Sequence, residues 1–453
     1  MWHTEQPYEP ISDDPERPEN EDIQPKRTAS FSYIEYAIFF LLGICMLWAW
    51  NMFLAAGPYF QHRFRSNDWI SENFQAAEIS ISTFTNLVSM LVLTKLQAHA
   101  SYPKRIISSL FINMAVFALL ALSTSAFLDM SATGYFVFLV VTVFATSLAT
   151  GLCQNGIFAY VSGFGEPIYT QSIMTGQAVA GVLPCIAQIV SVLSVEATDR
   201  APGEKQLEDH TGPPHDPQDP SPVRSNAALA YFLTATIISV ITLFAFIYLL
   251  RRDRVSRSIP DHTVPEDAVN KADSKTIPLR TLARKLFWLA SAVFATFAVT
   301  MVFPVFTQRI VSVKPPEQQS PILQAPVFIP LAFLLWNVGD LLGRLATAIP
   351  QLSLVRMPRL VFFLAITRLG FVGLYHLCNI RGQGAVIKSD LFYLVVVQML
   401  FGLTNGFLGS TCMVGAAEWV EPYELEAAGG FMGLCLVAGL TAGSLASFFA
   451  TGS

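Results

Sequence analysis

Residues 327–349 read VFIPLAFLLWNVGDLLGRLATAI, an apolar run whose strongly polar side chains are Asn337, Asp340 and Arg344. A helix needs about 20 mostly apolar residues to cross a bilayer core, and this stretch supplies them. Its polar residues follow one another at spacings of three and four, so a helix gathers them on one face. A soluble core helix would carry charge on the face turned to water, but here the other faces are Leu, Ile, Phe and Val. The stretch reads as a membrane span with one polar stripe.

The rest of the chain agrees. Of its 453 residues 53% are hydrophobic and 13% charged, with a mean hydropathy of +0.47. Soluble domains carry roughly 25% charged residues to keep their surfaces wetted. The composition excludes an ordinary soluble enzyme, a disordered scaffold and a disulfide-stapled secreted domain. A net charge of −5 carries no footprint of nucleic-acid binding.

Scanning for runs of this length gives an all-α membrane protein of eleven spans. They cover residues 34–58, 77–95, 105–127, 134–160, 169–195, 225–250, 285–308, 327–349, 359–380, 391–416 and 425–450. The second is the weakest, because Glu78 and several Ser and Thr occupy its first turn. An odd count puts the termini on opposite sides. Lys and Arg concentrate in the segments that face the cytosol if the N-terminus is inside, above all in the loop 251–284. The expected orientation is N-terminus cytosolic and C-terminus extracellular or lumenal.

Polar segments then divide the chain. Residues 1–32 form an acidic, proline-rich cytosolic tail expected to be disordered and without a cleavable signal peptide. Residues 33–250 hold spans one to six, with an extracellular or lumenal loop at 196–224. A cytosolic and largely disordered loop at 251–284 separates them from residues 285–453, which hold spans seven to eleven. This 6+5 division is what a degenerate two-half transporter gives.

Ionisable groups inside a span are costly, so each is a candidate for function. Asp340 and Arg344 can neutralise one another and still present hydrogen-bonding groups to a polar solute; the plainer alternative is an ion pair that fixes helix packing. Arg368 lies about ten residues into span nine, too deep for easy snorkelling; it lines a cavity or pairs with an acid on a neighbouring helix. In span one, Trp50 beside Asn51 is either a stacking surface for an aromatic ring or a belt tryptophan. Gln154 and Asn155 in span four, and Thr175 and Gln177 in span five, suit a heterocycle edge or a hydroxyl, or else join helices. The glycines of span eleven, Gly429, Gly430, Gly433, Gly439 and Gly443, read as packing and gating.

Chemistry of other kinds finds no footing. The six cysteines lie in apolar runs without a CxxC pair, and the histidines are scattered without metal-ligand spacing. There is no phosphate-cradling Gly-rich lysine motif, no GxSxG and no HExxH. Neither a cofactor nor a metal is expected, and the chain does not read as an enzyme.

Taken in order, the motifs resemble those of the equilibrative nucleoside transporter family, in a fungal-type member. The resemblance is carried by Trp50-Asn51, by Gln154 to Tyr160, by Tyr169 to Gly181 and by Asn337-x-x-Asp340-x-x-Gly343-Arg344. Arg368 with Cys378-Asn379-Ile380, Thr404-Asn405-Gly406 and Glu426-Ala427-Ala428-Gly429 extend it, so that it covers residues 34–450. It implies a 6+5 fold like that of the major facilitator superfamily, alternating access and a central site for nucleosides. By the same resemblance Trp50 packs against the substrate, Gln154 bonds the base, Asp340 and Arg344 bond the ribose hydroxyls with Asn337 beside them, and Phe303 lies near the site. Asn51, Gln177, Arg368, Asn405 and Glu426 are further candidates for the cavity or its gates. The chain departs from the family at Ala49, where many members have proline, and in the length of the 196–224 loop.

The leading expectation is therefore facilitated diffusion of purine and pyrimidine nucleosides across a plasma, vacuolar or lysosomal membrane. A proton-stimulated carrier of nucleosides or nucleobases in an acidic organelle is the alternative, with Tyr8-Glu-Pro-Ile11 as a sorting signal and Asp340 as the protonatable group. A membrane receptor without transport is the third reading. Ser256 and Ser258 lie in a basic stretch that suits phosphorylation.

Overall fold

The computed structural model describes residues 32–97, 100–200, 221–257 and 277–451. Tyr8 to Ile11, residues 201–220 and residues 258–276 with Ser258 lie outside them. Among the described residues eleven helices are long and apolar enough to span a membrane. We label them α1 (Tyr33–Ala55), α2 (Asp68–Lys95), α3 (Tyr102–Ala126), α4 (Ala132–Ser162), α5 (Pro167–Arg200) and α6 (Ser221–Arg257). The second half is α7 (Phe287–Thr307), α8 (Ala325–Ala346), α9 (Pro358–His376), α10 (Phe392–Trp419) and α11 (Leu425–Thr451).

Lipid-facing surface is visible directly in the side chains. On α6, Ile237, Ile241, Phe244 and Tyr248 are exposed at helical spacing, while Ala235, Ser239, Thr242 and Phe246 are buried. An apolar stripe of that length turned outward is stable only where the surroundings are hydrocarbon.

Helix ends correct the sequence reading in several places. The second span begins at Asp68 and not at residue 77: Asn67 caps the helix by accepting from the Ile70 amide at 3.1 Å. Its first turns are too polar for a hydropathy scan, yet Ile70, Phe74 and Glu78 are buried at steps of four. Glu78 thus sits well inside the helix and not in its first turn. α5 continues to Arg200 and α6 covers Ser221–Arg257, so the described ends of the 196–224 loop are helical. The described parts of the 251–284 segment are also largely helical, up to Arg257 and from Leu279. The ninth span stops at His376, short of residue 380. Cys378 to Ile380 instead leave the helix, and Ile380 pairs with Ile310 in an isolated antiparallel bridge.

Three spans depart from a continuous α-helix. α7 divides at Met301, between Phe287–Thr300 and Val302–Thr307. Pro304 has no N–H to return to the Thr300 carbonyl, so the ladder cannot continue unbroken. α9 divides at Arg368 and Leu369. α10 opens with a π-helical stretch, Phe392–Met399, before Leu400–Gly415; such widened turns concentrate at functional sites.

A close crossing of α8 and α10 positions the polar residues of the second half. Gly339 and Gly343 of α8 lie against the Met399 and Leu403 carbonyls of α10, and Gly402 and Gly406 of α10 lie against the Trp336 and Asp340 carbonyls of α8. Two GxxxG faces interlock, and a Cβ at any of the four positions would overlap backbone. Small residues permit this contact, in which the backbones nearly touch.

Candidate functional site

The interlocked glycines bring Asp340 of α8 beside Asn405 of α10. Asn405 Nδ2 donates to Asp340 Oδ1 at 2.7 Å, and Arg344 Nε donates to Asp340 Oδ2 at 2.8 Å. Both oxygens of the carboxylate are satisfied by bonds strengthened by its charge. Asp340 and Arg344 are buried, at 2% and 5% exposure, so this ion pair is held away from any aqueous surface.

Arg344 does more than neutralise its neighbour. Its Nη1 donates to the Met174 carbonyl at 2.7 Å and to Gln177 Oε1 at 3.1 Å, both on α5. Gln177 Nε2 in turn lies 2.8 Å from Met46 Sδ on α1. Two turns before Arg344 on α8, Asn337 donates to the Phe333 carbonyl at 2.9 Å and lies 3.6 Å from Cys185 Sγ on α5. It fills the space left open by Gly181, where a Cβ would overlap the amide oxygen. The polar stripe of α8 therefore faces the other half of the molecule.

Other contacts between the halves lie at the same end of the bundle. Gly429 of α11 packs on the Phe158 carbonyl of α4, Gly433 on Phe158 and Met90, and Glu426 against Gly163. The end of α4, the first half of α5, the second half of α8 and the start of α11 share one side when successive helices cross in alternate directions. At that side the halves are closed.

Arg368 neither meets an acid directly nor joins this interface. It is 2% exposed, with Nε on Thr404 Oγ1 at 3.2 Å, Nη2 on Thr300 Oγ1 at 3.2 Å and Nη1 on the Thr296 carbonyl. Its guanidinium lies 4.7 Å over the Phe401 ring. It borders a cavity of about 150 Å³ with Leu364, Phe371 and Phe407, separate from Asp340 and Arg344.

The aromatic candidates divide. Phe303, on the second piece of α7, Val302–Thr307, stacks on Trp336 with ring centroids 4.2 Å apart and meets Phe333 edge-on at 4.9 Å. Trp336 immediately precedes Asn337, so the aromatic group adjoins the polar stripe. Trp50 is half-buried on α1, and its neighbour Asn51 donates to the Ala180 carbonyl of α5 at 2.7 Å. Gln154 accepts from Asn86 Nδ2 on α2 at 3.2 Å. Asn155 accepts from Arg105 and donates to Thr94 Oγ1 at 3.3 Å. These amides join helices of the first half. Outside the spans, Lys285 donates to Glu424 Oε2 at 2.7 Å, and that bond raises the lysine above its ordinary range.

The structure thus assembles Asp340, Arg344, Gln177 and Asn405 directly, with Asn337 and Phe303 nearby. Thr300, Met174 and Trp336 were not foreseen. The paired GxxxG of α8 and α10 is the sequence signal that points to Asn405 as Asp340's partner; nothing in the sequence marks Met174, which contributes only its carbonyl.

A family model described as nucleoside transporter matches residues 139–260 and 251–451. The chain belongs to the nucleoside transporter family. The transporter is 27% identical to the nucleoside transporter FUN26 of Saccharomyces cerevisiae, with 92% of this chain and 83% of that protein covered. It is 26% identical to equilibrative nucleoside transporter 1 of Homo sapiens, over 91% and 96% of the two chains. Among solved structures it is similar to the major facilitator superfamily transporter FucP in its outward conformation, with a TM-score of 0.55, 14% identity and 93% of each chain covered. A bacterial homologue of the iron transporter ferroportin, in an outward-facing state, gives a TM-score of 0.58 at 12% identity over 93% and 92% of the chains. The transporter is an all-helical integral membrane protein with a fold like that superfamily's, and its family transports rather than catalyses.

Proposed function

We propose that the transporter carries purine and pyrimidine nucleosides down their own gradient by alternating access, binding the sugar at Asp340 and Arg344. The observation that carries this reading is the position of Arg344. It holds Asp340 on its own helix and reaches α5 in the other half through a different nitrogen. A nucleoside sugar offers hydroxyls that both donate and accept, so it can bond the carboxylate and the guanidinium together. When the halves separate, the donors that now hold Met174 and Gln177 are released for such a ligand. Phe303 and Trp336 supply flat surface near the same stripe for the base, and Trp50 offers more from α1.

The distribution of Lys and Arg supports a cytosolic N-terminus and an extracellular or lumenal C-terminus. In that orientation the closed side is cytosolic, and the described conformation faces outward. A plasma, vacuolar or lysosomal membrane fits such a carrier. The test is uptake of radiolabelled nucleosides and nucleobases into proteoliposomes that hold the purified full chain. Saturable uptake of both nucleoside classes, with accelerated exchange when the vesicles are preloaded, is expected. Binding without flux would overturn the reading.

A further inference from the structure

Asp340 is tied to a second cation by a route that runs wholly within the second half. Arg368 Nη2 on α9 donates to Thr300 Oγ1 on α7 at 3.2 Å. Thr300 Oγ1 lies 2.5 Å from Asn405 Oδ1 on α10, and Asn405 Nδ2 lies 2.7 Å from Asp340 Oδ1 on α8. The direction of the chain is fixed by its ends. A guanidinium only donates and an ionised carboxylate only accepts, so Asn405 must turn its NH₂ to Asp340 and its oxygen to Thr300. The threonine hydroxyl then accepts from Arg368 and has one proton for two acceptors, Asn405 Oδ1 and the Thr296 carbonyl at 2.8 Å. Arg368 presses on the second acceptor too, because its Nη1 donates to that same Thr296 carbonyl. Two oxygens only 2.5 Å apart need a proton between them, so the hydroxyl proton is directed to Asn405.

Every member of this chain is buried: Thr300 is 8% exposed, Asn405 1% and Arg368 2%. Hydrogen bonds in such surroundings polarise one another, and an unmade one costs more than in water. The residues come from four helices, yet none from α1–α6. Arg344 is the opposite case, since its Nη1 bonds cross to α5. The same carboxylate therefore has one partner that must change when the halves separate and one that need not.

We infer that Arg368 is a positioning residue for nucleoside binding: acting through Thr300 and Asn405, it holds the Asp340 carboxylate in its binding orientation while Arg344 exchanges protein partners for substrate. This rests on the proposed role of Asp340 and Arg344 and adds to it a fixed support inside the second half. The break in α7 falls immediately after Thr300, at Met301. Thr300 thus belongs to the first piece, whereas Phe303 and its stacking contact belong to the second one. The second piece can shift around a ligand without pulling on the hydroxyl.

Uridine uptake by the purified full chain in proteoliposomes tests this, with Thr300→Val, Thr300→Ser, Arg368→Lys and the Thr300→Val/Arg368→Lys double variant. Valine keeps the shape of threonine and removes the hydroxyl; lysine keeps the charge but loses the planar fork that reaches Thr300, Thr296 and Thr404 together. Thr300→Val and Arg368→Lys each raise KM about tenfold with turnover within about twofold of wild type. Thr300→Ser stays within about twofold, and the double variant is no worse than the weaker single one, because both cut the same chain. A KM for Thr300→Val within about twofold of wild type overturns the inference, even if its melting temperature falls. So do single effects that multiply in the double variant. If Thr300→Val does not reconstitute, Arg368→Lys decides alone: an unchanged KM overturns the inference. Failure of the wild-type protein to take up uridine would instead sink the proposed function itself.

Discussion

Arg344 Nη1 donates to the Met174 carbonyl at 2.7 Å while Nε of the same guanidinium donates to Asp340 at 2.8 Å. One side chain therefore serves as the intrahelical partner of a buried acid and as a bond between the two halves. A carrier that alternates must break the second bond on each cycle without losing the first. The planar fork of arginine, with donors facing different directions, is suited to that division in a way a lysine is not.

Gln177 is the side-chain acceptor in this bond between halves, at 3.1 Å from Arg344. Replacing it by leucine leaves the charges in place and removes one reason for the closed end to stay closed. Spin labels at Ile168→Cys and Tyr423→Cys, in a background with Cys185 and Cys435 changed to alanine, report the separation of that end. Gln177→Leu should move population toward longer distances by roughly 1 kcal/mol, the typical worth of one hydrogen bond. An unchanged distance distribution would show that Gln177 is not part of the latch.

The glycine crossing makes a different demand. Gly343 lies against the Leu403 carbonyl and Gly406 against the Asp340 carbonyl. Gly343→Leu drives a side chain into backbone that cannot rotate away, at or beyond the upper end of the ~1–3 kcal/mol usual for overpacking. Purified Gly343→Leu should melt well below the wild type and lose uptake with it. If it melted normally, the described α8–α10 approach would be wrong.

Trp336 separates ring from donor. Its Nε1 is buried with no hydrogen-bond partner, while its ring stacks on Phe303 at 4.2 Å. Trp336→Phe removes an unsatisfied N–H and keeps an aromatic ring, so its stability should stay within about 1 kcal/mol of wild type. Trp336→Ala leaves a cavity and should cost about 3–5 kcal/mol. Equal losses in thermal melting for the two variants would contradict the stacking account.

Each oxygen of Asp340 already accepts one donor, Oδ1 from Asn405 and Oδ2 from Arg344. The proposed transport needs only the nucleoside's own gradient. Uptake driven by a nucleoside gradient alone should persist, within about twofold, when a protonophore collapses any pH difference. Loss of most of the uptake would favour proton-stimulated transport instead.

How much of this the sequence reveals depends on the kind of interaction. Span number follows from hydropathy because each helix must satisfy its own backbone in lipid. The start of α2 does not, since Asp68, Glu72, Asn73 and Gln75 make its first turns polar and only the capping residue Asn67 marks the boundary. The intrahelical pair Asp340–Arg344 is legible from a spacing of four. Its reach to Met174 and Gln177 is not, because spacing within one helix says nothing about which helix lies opposite. Arg368 shows the same limit: burial was readable from depth in span nine, whereas its partners Thr296, Thr300 and Thr404 are ordinary residues on other helices. Gln154 and Asn51, carried as substrate and cavity residues, also bond neighbouring helices at Asn86 and Ala180.

Arg344→Ala gives the most direct test of the central claim. Proteoliposomes holding equal amounts of folded wild-type and Arg344→Ala protein, matched by monodispersity before reconstitution, are compared for initial uridine uptake. Binding of the sugar at Asp340 and Arg344 predicts that the variant falls to the level of empty vesicles. Uptake at the wild-type rate would contradict it.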